Sequence, residues 1–172
     1  MRPAGFALAI AFAMTNLTAY ASDPKPSIAE LRTAPQSLLN KLYLDAAPGT
    51  MPDGDSEGTA IFFANSSANL ITQQIAALVW QGKVFDTKHE VLVNKVFGFK
   101  AIKAQIGYGN SLMDGRESII IDYAKTSVLF SRVRDEIREV APGIYLGRAY
   151  WRTYLFGGVF VLNFILDFNH DD

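Results

Sequence analysis

The sequence predicts a mainly β domain: an antiparallel meander closing into a small barrel, with one or two N-terminal helices. Three observations carry this. From Lys83 onward, runs rich in Val, Ile, Phe and Tyr follow at short intervals (84–85, 91–97, 101–108, 118–123, 144–151 and 159–168). Turn chemistry separates them at Asp86-Thr87-Lys88, Gly98, Gly109-Asn110, Asp114-Gly115 and Ala141-Pro142-Gly143. Strands at this spacing build a barrel or a sandwich. The last run, Gly157 to Phe168, is nearly apolar on both faces, and an exposed edge of that kind would aggregate. It is expected to close the barrel, packing inward on the lumen and outward on the N-terminal helices.

Ahead of this domain, Met1 to Ala21 reads as a secretory signal peptide, cleaved near Ala21. One basic residue, Arg2, precedes an uncharged apolar run from Ala4 to Met14, and Ala19-Tyr20-Ala21 gives the small-x-small cleavage pattern. About eleven apolar residues are too few to span a bilayer, which takes about twenty. The expected location is the periplasm, or the medium after secretion, with no transmembrane helix in the mature chain. Removing Arg2 leaves 15 basic side chains against 17 acidic ones. No basic stripe with interleaved aromatics is present, so nucleic acid is not an expected partner. The chain has no cysteine, hence no disulfide framework and no thiolate metal site.

Residues 22–34 read as a linker and a loose helical turn, with Ser27 and Glu30 spaced for a capping box. A helix is expected from about Pro35 to Leu44. Residues 47–58, rich in Pro, Gly and Asp, are expected to form a loop, followed by a short strand at 59–63. Ser66 or Ser67 then caps a second amphipathic helix running to about Trp80, with Gly82 as its left-handed stop. One barrel domain spans 35–168, and 169–172 form a disordered tail. Asp114-Gly115 has the composition of a two-residue type I′ hairpin.

Few residues carry recognisable chemistry. His89 in a turn and His170 in the tail have no partners at ligand spacing, so neither a metal nor a Ser-His-Asp arrangement is expected. Asp53, Asp55 and Glu57 lack the distal Glu of a calcium loop. No cofactor and no catalytic residue are assigned. The densest cluster is Arg132 to Val140. As a helix it would place Arg134 and Arg138 on one face; as a strand it would align Arg134, Glu136 and Arg138 opposite Asp135 and Ile137. Facing a lumen, this cluster would clamp an anionic or carbonyl head group. Tyr123, after Asp122, could add a hydroxyl donor. Trp80, ahead of the first barrel strand, is expected to plug one barrel end with a nearby cation over its face.

Trp80-x-Gly82-Lys83, Ile121-Asp122-Tyr123, Val133-Arg134-Asp135 through Arg138-Glu139-Val140, and Leu146-Gly147 together resemble the calycins. The similarity is to lipocalin-like small barrels marked by a G-x-W-x-G motif. Position 78 is Leu where that motif has its first Gly, and Asp122-Tyr123 reverses the family's Tyr-Asp order. The resemblance covers about half of the mature chain. It implies a barrel able to hold an apolar molecule.

The expected function is therefore an exported binding protein for an apolar or amphipathic ligand such as a lipid, fatty acid or hydrophobic metabolite. Tyr123, Arg134, Glu136, Arg138, Tyr145 and Phe160 are the expected ligand-binding residues. Val93, Phe97, Ile106, Ile120 and Phe164 would also line the lumen. Trp80, Gly82, Lys83, Asp114, Gly115 and Gly147 are read as structural. Two alternatives stay open: a hydrolase or isomerase on a lipid-like substrate using Asp122, Glu136 and Arg138, and a ligand-free envelope module with a protein partner.

Overall fold

The computed structural model describes residues 25–61, 80–154 and 157–170. Two helices, α1 (Ile28–Thr33) and α2 (Gln36–Asp45), precede eight strands. These are β1 (Gly54–Ile61), β2 (Trp80–Asp86), β3 (Val91–Val96), β4 (Phe99–Asn110), β5 (Glu117–Asp122), β6 (Val133–Ala141), β7 (Ile144–Thr153) and β8 (Gly157–Asp167). Each strand pairs antiparallel with the next, and β1 pairs with β8 to close the barrel. Closure gives each described strand a partner on both sides.

Local chemistry sets most of these boundaries. Ser27 and Glu30 form the capping box, with Ser27 N donating to Glu30 Oε2 at 2.8 Å. Phe97 and Gly98 both have positive φ (52° and 78°) and link paired Val96 and Phe99 as a two-residue turn. The charge-dense segment is extended from Val133, as β6, and Gly143 (φ 69°) turns it into β7.

Two expectations are corrected. Residues 54–58 are strand rather than loop, because β2 and β8 supply ladder partners that outweigh the turn-forming composition. Asp114-Gly115 sits in a longer connection between paired Asn110 and Glu117, because Asp114 folds onto the outer face of the barrel wall to meet Arg138. Trp80 begins β2; the rest of the helix expected before it lies outside the described residues.

The core has two parts. Inside the barrel, Phe85, Leu92, Ile106, Ile119, Ile121, Ile137, Leu162, Phe164 and Leu166 form one cluster. Outside, α1 and α2 set Leu31, Leu39 and Tyr43 against Leu146 and Ile165. The two apolar faces of β8 are thereby both covered.

The barrel ends differ. At one end, Phe168 meets Phe85 and Tyr145 edge-on, each at 5.5 Å. Residues 46–53 are tied across this end by Tyr145 Oη donating to Thr50 O (2.6 Å) and Thr87 N donating to Asp53 Oδ1 (2.9 Å). At the opposite end, β2, β4, β6 and β8 begin and the lumen contains a cavity.

Close backbone contact joins β1 to β2. Gly82 has φ +127°, and a Cβ there would lie 2.0 Å from Ser56 O. Gly82→Ala is expected to unfold the domain or cost about 3 kcal/mol or more in urea denaturation. Gly107→Ala, whose methyl would meet nothing within 4 Å, is expected to cost less than about 1 kcal/mol.

Candidate ligand-binding site

The cavity has a volume of about 80 Å³ and is walled by Trp80, Val96, Ile102, Phe130, Val133, Ala149, Leu162 and Phe164. Its polar lining consists of Lys83, Asn94, Tyr123 and Asp135. Strand alternation places these four inside. Lys83 shares the inward phase of Phe85, Asn94 that of Leu92 and Val96, and Asp135 that of Val133 and Ile137. Tyr123 follows the inward Ile119 and Ile121.

Lys83 is 3 % exposed. Its Nζ donates to Asn94 Oδ1 (2.7 Å), Tyr123 Oη (2.7 Å) and Asp135 Oδ2 (2.9 Å), using all three ammonium hydrogens. It also lies 5.3–5.4 Å from the ring centres of Trp80, Tyr123 and Phe164. Burial pulls the Lys83 amine below its usual value, while Asp135 opposes the shift. Burial, then the Asp135 charge, pushes Tyr123 well above the usual phenol range. Tyr123 therefore stays protonated and donates to Asp135 Oδ2 at 3.0 Å.

The motif residues shape this site by packing. Trp80 meets Phe164 edge-on at 5.7 Å, and its Nε1 donates to Asn94 Oδ1 at 3.2 Å. Gly147 lies beneath the Phe164 ring, where a Cβ would come within 2.2 Å of Cζ. Ile102 carries φ +55°, which is strained for a β-branched residue. Asn94 Nδ2 donates to its carbonyl at 2.9 Å and so holds this bulge beside the cavity.

The sequence-predicted binding residues are divided between two places. Tyr123 lines the cavity. Tyr145 is inside but at the closed end, in contact with Phe168. Arg134, Glu136 and Arg138 project from the outer face of β6, and Phe160 also faces outward, with the Arg148 guanidinium 4.4 Å from its ring centre. Of the expected lumen residues, Ile106 and Phe164 are inside. Val93 and Ile120 take the outward phase of their strands, and Phe97 is exposed in its turn.

The outer cluster is sealed beneath α2 and residues 111–116. Arg138 is fully buried and grips Asp114 with two bonds (2.9 and 2.8 Å). It also donates to Ser118 Oγ (2.9 Å) and Tyr43 O (3.0 Å), with its guanidinium 4.6 Å from the Tyr43 ring centre. Glu136 accepts from Ser111 Oγ (2.6 Å), Leu112 N (2.9 Å) and Arg134 Nε (2.9 Å). Burial above all raises Tyr43 to about 12. Asp122 pairs instead with Arg152 at 2.6 Å. The charges are thus consumed in fixing α2 and the 111–116 connection to the barrel wall. Asp122, Glu136 and Arg138 do not converge on the cavity.

Asp114 and Gly115 shape that connection, Gly115 with φ 72°. Asn94 and Asp135 are the two polar cavity residues that were not among the expected binding or structural residues. Each interrupts an apolar inward phase, which was the available signal.

The architecture, a closed eight-stranded antiparallel barrel, is consistent with the calycin structural class. Comparison with known proteins finds no matching family model, no matching curated protein and no matching solved structure.

Proposed function

We propose that this protein is an exported binding barrel that holds a small apolar or amphipathic molecule in its lumen. The observation that carries this reading is the cavity: apolar walls with one convergent polar patch, Lys83–Asn94–Tyr123–Asp135, inside the barrel. The leader-like N-terminus supports export, and the motif resemblance to lipocalin-like barrels supports a carrier or sensor. Ligand pockets commonly measure about 300–1,000 Å³, whereas this one is about 80 Å³. The reading therefore narrows from whole lipids to a compact molecule, or to the tip of a longer amphipath. The same small volume favours the ligand-free envelope module as the second reading.

Ala149 lines the cavity and is 6 % exposed. Ala149→Leu fills the space, and Val133→Phe fills it from another wall. Titration by NMR with short-chain alcohols and hydrocarbons is expected to shift the Ile102, Val133 and Leu162 methyl signals of the wild type. Folded filled variants are expected to lose at least tenfold in affinity, as about 1.4 kcal/mol of lost contact would produce. Equal binding by wild type and a folded filled variant would exclude the cavity as the site.

A further inference from the structure

We infer that the cavity selects a neutral hydrogen-bond donor, such as the hydroxyl of a small alcohol, and presents Asp135 Oδ1 as its acceptor. This rests on the binding-barrel reading above and specifies the head group it takes. The three Lys83 ammonium hydrogens are used by Asn94, Tyr123 and Asp135. The single Tyr123 hydroxyl hydrogen goes to Asp135 Oδ2, 3.0 Å away. Asn94 Nδ2 donates to Ile102 O (2.9 Å) and Tyr123 Oη (3.1 Å), and Trp80 Nε1 donates to Asn94 Oδ1. These side chains have no donor to spare for a ligand.

Asp135 Oδ2 takes both Lys83 and Tyr123, but no described residue donates to Oδ1. That oxygen is not sealed off: the only sealed, unpartnered side-chain polar atom among the described residues is Asn163 Oδ1. Asp135 is 5 % exposed and lines the cavity, so Oδ1 faces what the cavity holds. A carboxylate oxygen accepts and cannot donate.

Charge narrows the class further. An anionic head group would face a carboxylate whose companion ammonium is already saturated. A cationic head group would satisfy Oδ1 but would sit beside Lys83 in a buried, low-dielectric site and lose its hydration. A neutral hydroxyl or N–H meets neither penalty. This reverses the head-group preference expected from the sequence, where Arg134 and Arg138 suggested an anion or a carbonyl.

The probes are n-butanol, n-butyl chloride, butyrate and n-butylammonium, titrated by NMR into the wild type and into Lys83→Met/Asp135→Leu. The double variant removes the acceptor together with its buried cation, leaving no unpaired charge. In the wild type, n-butanol is expected to bind roughly tenfold or more tightly than the other three, the worth of one hydrogen bond to a charged acceptor. In the folded double variant, n-butyl chloride is expected to bind as well as n-butanol or better. Equal affinity of the alcohol and chloride in the wild type, or tighter binding of butyrate or n-butylammonium, would overturn the head-group assignment and leave the cavity reading standing. Absence of binding by all four would overturn the cavity reading, and the assignment with it.

Discussion

Lys83→Met is expected to destabilise the domain by about 3–5 kcal/mol, and adding Asp135→Leu is expected to restore most of that loss. Lys83 and Asp135 are both nearly fully buried, so bulk water compensates little for the lost partner. Removing the ammonium leaves a carboxylate in an apolar lumen with only the Tyr123 hydroxyl as a bound donor. Removing both charges substitutes apolar volume where desolvation had offset most of the Coulomb attraction. Urea denaturation of the wild type, both single variants and the double variant gives the coupling energy. Additive single effects would show that the two groups do not act as a buried pair.

The second large effect lies on the opposite face of the wall. Arg138→Leu is expected to cost about 3–5 kcal/mol and to loosen α2 and residues 111–116, seen as lost amide protection there. The guanidinium joins Asp114, Ser118, the Tyr43 carbonyl and the Tyr43 ring at one point. Arg138→Lys is expected to recover little, since an ammonium cannot reproduce the planar two-bond grip on Asp114. The same pair sets an acid limb. Arg138 hydrogen bonding holds the Asp114 carboxyl well below the usual carboxylate range. Because the folded value lies below the unfolded one, this stabilisation is complete above the usual range near pH 4. It is lost as pH falls through the lowered value. Urea midpoints measured from pH 6 downward are expected to fall below about pH 4 in the wild type, and less steeply in Arg138→Leu.

Most strands were legible because period-two alternation and Gly, Pro and Asp punctuation agree over much of the chain; β6, whose charges suit a helix or a strand, was not. The two-faced apolarity of Val159 to Phe168 carried tertiary information as well, since burial on both sides requires helices outside the barrel. Only the end of β1, from Thr59, was legible: Gly54 to Gly58 have loop composition, and their strand state comes from distant partners in β2 and β8. The site was legible in pieces. Trp80, Gly82, Lys83 and Tyr123 stood out individually, but their convergence depends on Asp135, which is 52 residues from Lys83 in sequence.

The phase of β6 explains the main displacement of the expected site. Val133 and Ile137 are apolar residues of one phase in the charged stretch, so they and Asp135 face inward and the arginines face outward. An outward charge cluster ordinarily meets solvent. Here α2 and residues 111–116 cover it, and local sequence does not show which surface a helix will cover. Lys83, Asn94 and Asp135 form a subtler pattern: each is a polar residue next to apolar ones in the inward phase of its strand. Burial makes such residues costly unless they meet, and in the barrel they do.

The most direct test of the binding proposal is native mass spectrometry, with organic extraction, of the mature protein purified from its own compartment. The prediction is one compact neutral molecule bearing a hydroxyl or N–H donor per chain, absent from the folded Ala149→Leu variant. A bare protein mass, with no small molecule in the extract and no binding by the short-chain probes, would contradict the proposal and identify a filled, ligand-free barrel.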